Sequence, residues 1–309
     1  MDVLNDIFET IQLRGIFYYR TDFSGPWATT IPPLARAARF HYVAHGQCWC
    51  RVEGAQPLTL ETGDFVLIPN GAQHVLADCP TEDAPPLEAV MEAVGYDGEA
   101  LLSVGTGDPL AATRLVCGHL TFGAGADHPL LRALPTYIHV TDAARQRRPW
   151  FNQVLSMLVS NVFSGHPGSI AVVTRLSEVL FIEAIRSAGT EAPQLRAIID
   201  GFSDERIGRA IALIHREPGK HWTVAMLAAE IGMSRTRFAV LFQEMIGVGP
   251  ISYVIEWRLQ KANAQLFTTC KSIPEIARGI GYNNPADFTR AFVQRFGQTP
   301  VEFRCKRHE

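Results

Sequence analysis

Between about Phe17 and His139 the apolar positions come in short runs broken by Gly, Pro and Asp. Examples are Phe40-His41-Tyr42-Val43, Cys48-Trp49-Cys50-Arg51-Val52, Phe65-Val66-Leu67-Ile68 and Leu115-Val116-Cys117-Gly118-His119-Leu120. Turn residues recurring between β-rich runs predict an all-β barrel or sandwich, with the Pro- and acid-rich stretch 79–88 as a surface loop. Near Arg145 the period changes. Trp150, Phe151, Val154, Leu155, Leu158, Val159 and Val162 recur at helical spacing. Gly165-His166-Pro167-Gly168 interrupts, and Ser169 can cap a second helix over 170–187, in which Leu176, Leu180, Ile182 and Ile185 are apolar. These helices predict a packed spacer or a dimer interface, with Trp150, Phe151, Leu155, Leu158, Leu176 and Leu180 as its apolar surface. After a polar, loop-like stretch at 189–193, helical patterning resumes at Asp204 and continues almost to the C-terminus. The pattern therefore predicts an α+β multidomain chain: a β-barrel domain over 1–145, a helical spacer over 146–200 and an all-α domain over 201–309.

The last of these contains a repeat. Leu227-Ala228-Ala229-Glu230-Ile231-Gly232 echoes Ile276-Ala277-Arg278-Gly279-Ile280-Gly281. The echo continues in Phe238/Phe288, Phe242/Phe292, Gly247/Gly297 and Pro250/Pro300, after the second copy gains one residue. Thr223 and Ser272 are N-cap residue types before short helices, and Ser234 and Asn284 before the next ones, with Pro285 in a first helical position. Gly232 and Gly281 fit the tight turn between the two helices. The Phe pairs, four residues apart, mark a buried face. The unit reads as a duplicated helix-turn-helix. A helix over 251–266, about 24 Å long, would join the copies and hold two recognition helices in successive major-groove turns.

Charge sharpens this picture. The net charge of −3 conceals 15 Lys+Arg against 10 Asp+Glu from Ser203 to Glu309, leaving an excess of acid in the rest of the 309 residues. A basic C-terminal third on an acidic body points to a polyanion as its partner. The six cysteines lack C-x-x-C spacing and read as thiols rather than as a disulfide framework. No apolar run reaches the roughly 18 residues of a membrane span, and the polar start of the chain lacks the features of a signal peptide. The expected compartment is the cytoplasm.

From about Asp204 to Arg304 the chain resembles the AraC family of bacterial transcription regulators. The strongest elements are Ile280-Gly281-Tyr282, Asp287-Phe288-Thr289-Arg290-Ala291-Phe292, Phe296-Gly297-Gln298-Thr299-Pro300 and Phe303-Arg304, with Trp257-Arg258-Leu259 in the connecting helix. The resemblance implies double-stranded DNA as partner. It places base and phosphate contacts at Arg235, Thr236, Arg237, Val240 and Gln243 in the first copy, and at Asn284, Ala286, Thr289 and Arg290 in the second. Arg and Gln can read base edges; Arg, Thr and Asn can hold phosphates. Asp287, acidic on this surface, is expected to cap its helix.

The stretch from Gly63 to His74 is similar to the second cupin motif: Gly63, five residues, Pro69-Asn70-Gly71, two residues, His74. Asp78 replaces the usual Asn. The first cupin motif is damaged, because His41, His45 and Glu53 occur without His-x-His. The resemblance implies a ligand-binding barrel of the kind attached to some AraC regulators. Cys117 and His119 share a strand face by parity, and His41 and His74 are expected to reach the barrel interior. His41, His74, Cys117 and His119 are therefore candidate ligands of a zinc-like metal ion, against the plain alternative of core residues; Cys117 is also the candidate reactive thiol. The expected function is a non-enzymatic, sequence-specific DNA-binding regulator. It is a homodimer without membrane contact, and its barrel senses a small molecule, metal or oxidant. The alternatives are a cupin-type metal-dependent enzyme with a helical appendage and an adaptor that dimerises through 150–187.

Overall fold

The computed structural model describes residues 2–98, 101–108, 111–164, 166–189 and 192–305. Gly165 of the expected break and Thr190-Glu191 of the expected loop lie outside the described residues. The helices are α1 (Val3–Ile11), α2 (Leu87–Ala93), α3 (Pro129–Arg132), α4 (Asp142–Gln146), α5 (Pro149–Ser164), α6 (Ser169–Ala188) and α7 (Pro193–Ser203). They continue with α8 (Ile207–Arg216), α9 (Val224–Glu230), α10 (Arg235–Ile246), α11 (Pro250–Thr268), α12 (Ile273–Gly279), α13 (Pro285–Phe296) and α14 (Pro300–Cys305).

Contacts divide the chain into two units, Leu13–Thr121 with Leu134–Ala188, and Met1–Gln12 with Phe122–Ala133 and Gly189–Glu309. This cuts across the partition expected from the sequence. The spacer is split, α5 and α6 going with the strands and α7 with the C-terminal helices. Two N-terminal pieces join the C-terminal unit for physical reasons. Helix α1 buries Val3, Ile7 and Ile11 and packs on α8 and α11. The carbonyls of Gly125 and Asp127 accept from Gln260 Nε2 at 3.0 and 3.2 Å, and that of Ala124 accepts from Asn263.

The strand unit holds β1 (Arg14–Phe23), β2 (Ala28–Ile31), β3 (Ala37–His45), β4 (Gln47–Val52), β5 (Leu58–Glu61), β6 (Phe65–Ile68), β7 (His74–Ala77), β8 (Leu101–Val104), β9 (Arg114–Thr121) and β10 (Ile138–Val140). They form a six-stranded sheet ordered β10-β6-β3-β9-β1-β8 and a four-stranded sheet ordered β2-β7-β4-β5. One apolar core draws on both sheets, with Tyr19, Val43, Val66, Leu115 and Cys117 from the first and Ile31, Cys48, Cys50, Leu60 and Leu76 from the second. The turn before β7 needs Gly71. Its φ is +58°, and a Cβ there would lie 2.1 Å from the Leu34 carbonyl oxygen, so no other residue fits.

Helix α6 lies on β1, β9 and β10, and α5 packs on α6. The Phe151 ring meets Phe65 edge-on at 5.4 Å, and Phe151, Leu155, Leu158 and Leu180 are almost fully buried. Four of the residues expected to supply a dimer surface are thus spent on the protein's own strand unit, because an amphipathic helix covers the nearest apolar sheet.

In the C-terminal unit the repeat is two helix-turn-helix copies, α9–α10 and α12–α13. The predicted caps form. Ser234 Oγ accepts from Arg237 N at 3.4 Å and Asn284 Oδ1 from Ala286 N at 2.9 Å, while Ser272 and Glu275 make a reciprocal capping box. Helix α11 joins the copies. It has 19 residues, about 28 Å of helix. Tyr253 meets Phe242 of the first copy edge-on, and Leu259, Ala262 and Leu266 share a core with Ile276, Phe288 and Phe292 of the second.

Candidate functional site

The first half of the site is the outer face of α10 and α13. Phe238/Phe242 and Phe288/Phe292 are fully buried, which turns the opposite face of each helix to solvent. On α10, Arg235, Thr236, Arg237, Val240 and Gln243 are exposed. A valine 52% exposed on a helix with a well-filled core suits contact with a thymine methyl. Gln243 Nε2 donates to the Gly247 carbonyl at 2.8 Å, across the end of its own helix. On α13, Ala286 and Arg290 are exposed, Thr289 is half-buried and donates to the Pro285 carbonyl, and exposed Asn284 is the N-cap. Asp287 is not the cap, because Asn284 already fills that role. Asp287 instead pairs with Arg290 one turn on, which orients the guanidinium along the helix.

The second half is a buried chain inside the strand unit. His41 (β3) and Cys117 (β9) are cross-strand partners. On the other side of Cys117, an irregularity between Phe17 and Tyr19 brings Tyr19 opposite it. His41 Nδ1 lies 3.1 Å from Cys117 Sγ, His41 Nε2 lies 2.8 Å from His74 Nε2, and His74 Nδ1 lies 2.9 Å from the Ala72 carbonyl. The Tyr19 hydroxyl is hydrogen-bonded to Cys117. Burial holds His74 down to about 4 and His41 well below its ordinary value, with the Arg39 charge acting the same way on both; both rings are neutral.

The proton positions then follow. A carbonyl only accepts, so His74 carries its proton on Nδ1 and accepts at Nε2; His41 therefore donates from Nε2 and accepts at Nδ1 from the Cys117 thiol. The thiol in turn accepts from Tyr19. Along this row, from Tyr19 through Cys117 and His41 to His74, each side-chain polar atom is thus satisfied without a charge.

This arrangement corrects the metal reading. His41, His74 and Cys117 do converge, but in a line. Cys117 and His74 occupy opposite nitrogens of the His41 ring, so one ion cannot hold all three at bonding distance. His119 is half-buried and registers against Arg39 rather than His41. Among the described residues no group of three His, Cys, Asp or Glu side chains could hold a metal ion. The reactive-thiol reading changes too. Burial pushes the Cys117 thiol well up, Cys50 up to about 12 and Cys48 well up, the opposite of what a nucleophilic thiolate needs.

Sequence reasoning missed Tyr19, which carries no motif and reaches Cys117 only through the irregular β1–β9 pairing. It also missed a second buried network, in the C-terminal unit. His128 Nε2 donates to the Tyr253 hydroxyl at 3.1 Å. That hydroxyl donates to His215 Nε2 at 2.9 Å, and His215 Nδ1 faces Asp6 at 3.3 Å. His215 stacks on Trp257 at 3.5 Å. Asp127 accepts from Arg295 of α13 at 2.5 Å. Residues from α1 and 122–133 thus buttress the helices that carry the exposed basic face.

Comparison with known proteins bears on both halves. The cupin family model matches residues 2–188 and the helix-turn-helix domain model residues 227–306. The transcriptional regulator AlkR of Acinetobacter baylyi is 29% identical over 98% of this chain and 99% of its own. A putative AraC-like transcription regulator of Streptomyces lividans is 28% identical over 98% of each. Among solved structures, an AraC-type DNA-binding protein of Chromobacterium violaceum is 28% identical, covering 35% of this chain and 96% of that one, with a TM-score of 0.33.

Proposed function

The chain belongs to the AraC-type transcription regulators with a cupin N-terminal domain, and from that premise we propose that it reads a specific DNA sequence and adjusts that reading to a small-molecule effector. The observation that carries the proposal is the pair of exposed polar faces, Arg235, Thr236, Arg237, Val240 and Gln243 on α10 and Asn284, Ala286, Thr289 and Arg290 on α13. Each is mounted on a capped helix-turn-helix copy, and one helix joins the two. Its place is the cytoplasm; no single helix among the described residues is long and apolar enough to cross a membrane.

The test is fluorescence anisotropy at one stated salt concentration, since phosphate contacts release counterions. An operator selected from random duplexes should bind far more tightly than a scrambled duplex. Arg290→Ala should cost about 1–3 kcal/mol on the operator and less on scrambled DNA. Equal affinity for both duplexes in the unaltered protein would refute the proposal.

In this reading the regulator is a homodimer, joined through what remains exposed on α5 and α6. Trp150 and Met157 lie seven residues apart on α5, Val172 and Val179 seven apart on α6, and all four are exposed. Helical spacing of seven puts each pair on one face, and exposed apolar side chains on adjacent helices suit a second copy. Sedimentation should give a dimer at micromolar concentration and a monomer for Trp150→Glu with Val179→Glu. A monomeric unaltered protein, with and without operator, would remove the dimer.

A further inference from the structure

The two helix-turn-helix copies present different chemistry to the same partner. The first turn of α10 carries Arg235 and Arg237 and no acidic residue. The first turn of α13 carries Asp287 instead, exposed on the outer face with Arg290 one turn on. The other cation of α13, Arg295, is bound to the Asp127 carboxylate and only 26% exposed, so it does not offset Asp287 on that face. A carboxylate there repels the phosphates that the helix must approach. Stability does not account for it. Asn284 already caps α13, and the Asp287–Arg290 pair is 50% and 77% exposed, a setting in which an ion pair contributes little.

The groups that could read a base on α13 are few. Ala286 has no polar side-chain atom, Asn284 Oδ1 accepts from Ala286 N, and the Thr289 hydroxyl donates to the Pro285 carbonyl at 3.0 Å. Arg290 remains as the long donor. Asp287 accepts from its Nη2, and a guanidinium has enough further N–H groups for a bidentate contact. In the major groove guanine matches it, because only guanine offers two adjacent acceptors, O6 and N7.

We propose that Asp287 is a positioning residue for base recognition, holding the Arg290 guanidinium off the phosphates and turning it to a guanine. The inference rests on the reading of this face as one that meets DNA. An arginine on a flexible stem takes a phosphate oxygen as well as a base edge. The carboxylate beside it disfavours the phosphate position, and their hydrogen bond removes part of the side-chain freedom otherwise lost on binding. Phosphate anchoring then falls to Arg235 and Arg237, and discrimination to the second copy.

The test uses the full-length protein, an operator selected from random duplexes and fluorescence anisotropy at one salt concentration. Each base pair of the operator is replaced in turn. The pair that Arg290 reads is the one whose replacement weakens the unaltered protein but not Arg290→Ala. It should be G·C, preferred by about five- to 150-fold. Asp287→Ala should lower that ratio by about three- to tenfold, the scale of ordering one long side chain, while binding to a scrambled duplex holds or rises. In the Arg290→Ala background Asp287→Ala should change no ratio. Asp287→Ser repeats the test with a polar residue in the first turn. Loss of an acid raises affinity for any DNA, and loss of helix stability lowers the thermal midpoint and binding at every pair alike; neither changes the ratio at one pair. A pair other than G·C, no such pair, or a ratio that survives both Asp287 substitutions would overturn the inference alone. Equal binding of operator and scrambled duplex by the unaltered protein would overturn it together with the regulator reading.

Discussion

Cys117 sits between two groups that both need it, the Tyr19 hydroxyl that donates to it and the His41 Nδ1 that accepts from it. Cys117→Ala leaves a buried ring nitrogen without a donor and should destabilise the protein by about 1–3 kcal/mol in urea denaturation. Cys117→Ser retains a donor and an acceptor and should cost less; equal losses for the two variants would mean that the hydrogen bonds are not what matters. Thiol titration supplies an independent check. Cys79, Cys270 and Cys305 are exposed and Cys48, Cys50 and Cys117 buried, so the first three should react promptly with an aromatic disulfide reagent and the others only after unfolding. Much of this cluster was legible in the sequence. His74 was marked by the Pro69-x-Gly71 turn, and Cys117 by strand parity. What could not be read was that His41 would stand in the middle of a line. Spacing tells which residues share a barrel interior but not which ring nitrogen faces which partner.

At the scale of elements, caps, turns and Phe pairs were readable because each is a local requirement of the backbone. The two turn glycines nevertheless differ in a way the repeat conceals. Both have positive φ, +65° at Gly232 and +89° at Gly281, but a Cβ at Gly232 would meet nothing within 4 Å, whereas at Gly281 it would lie 2.7 Å from the Gly219 carbonyl oxygen and 3.0 Å from Arg258. Gly232→Ala should therefore cost only the left-handed backbone penalty, about 1–2 kcal/mol. Gly281→Ala should cost clearly more, since Arg258 is held by the Pro218 and Lys220 carbonyls at 2.6 and 2.8 Å. Thermal midpoints of the two variants decide the matter, and equal shifts would count against the described packing. The fate of α5 and α6 was not readable in the same way. Helical periodicity shows that a stripe is apolar; it does not show whether the stripe covers the chain's own sheet or a second copy.

Across the whole molecule, both units enclose neutral histidines. In the strand unit these are His41 and His74; in the C-terminal unit, His128, held down to about 3 by burial and the Arg132 charge, and His215, held well below its ordinary value by burial, His128 and Lys261. A histidine whose pKa is lowered on folding takes up its proton in the unfolded chain first. As pH falls below about 6.5 the unfolded state binds more protons, and stability declines by up to about 1.4 kcal/mol per pH unit for each such group until the folded pKa is reached. Acid should therefore weaken both units over the same window, from pH 6.5 towards 4 for His74 and towards 3 for His128. Hydrogen exchange can follow β3 and β9 separately from α8 and α11. Protection in both regions should fall together as pH drops from 7 to 4.5. His74→Gln, which retains an amide donor and acceptor but does not titrate, should flatten the slope in the strands and leave that of the helices unchanged. Pairing by cross-strand register and through the α1–α11 contacts put these histidines out of water, so the acid response belongs to the fold rather than to any motif. A slope in β3 and β9 that His74→Gln leaves intact would show that His74 is not among the groups that set it.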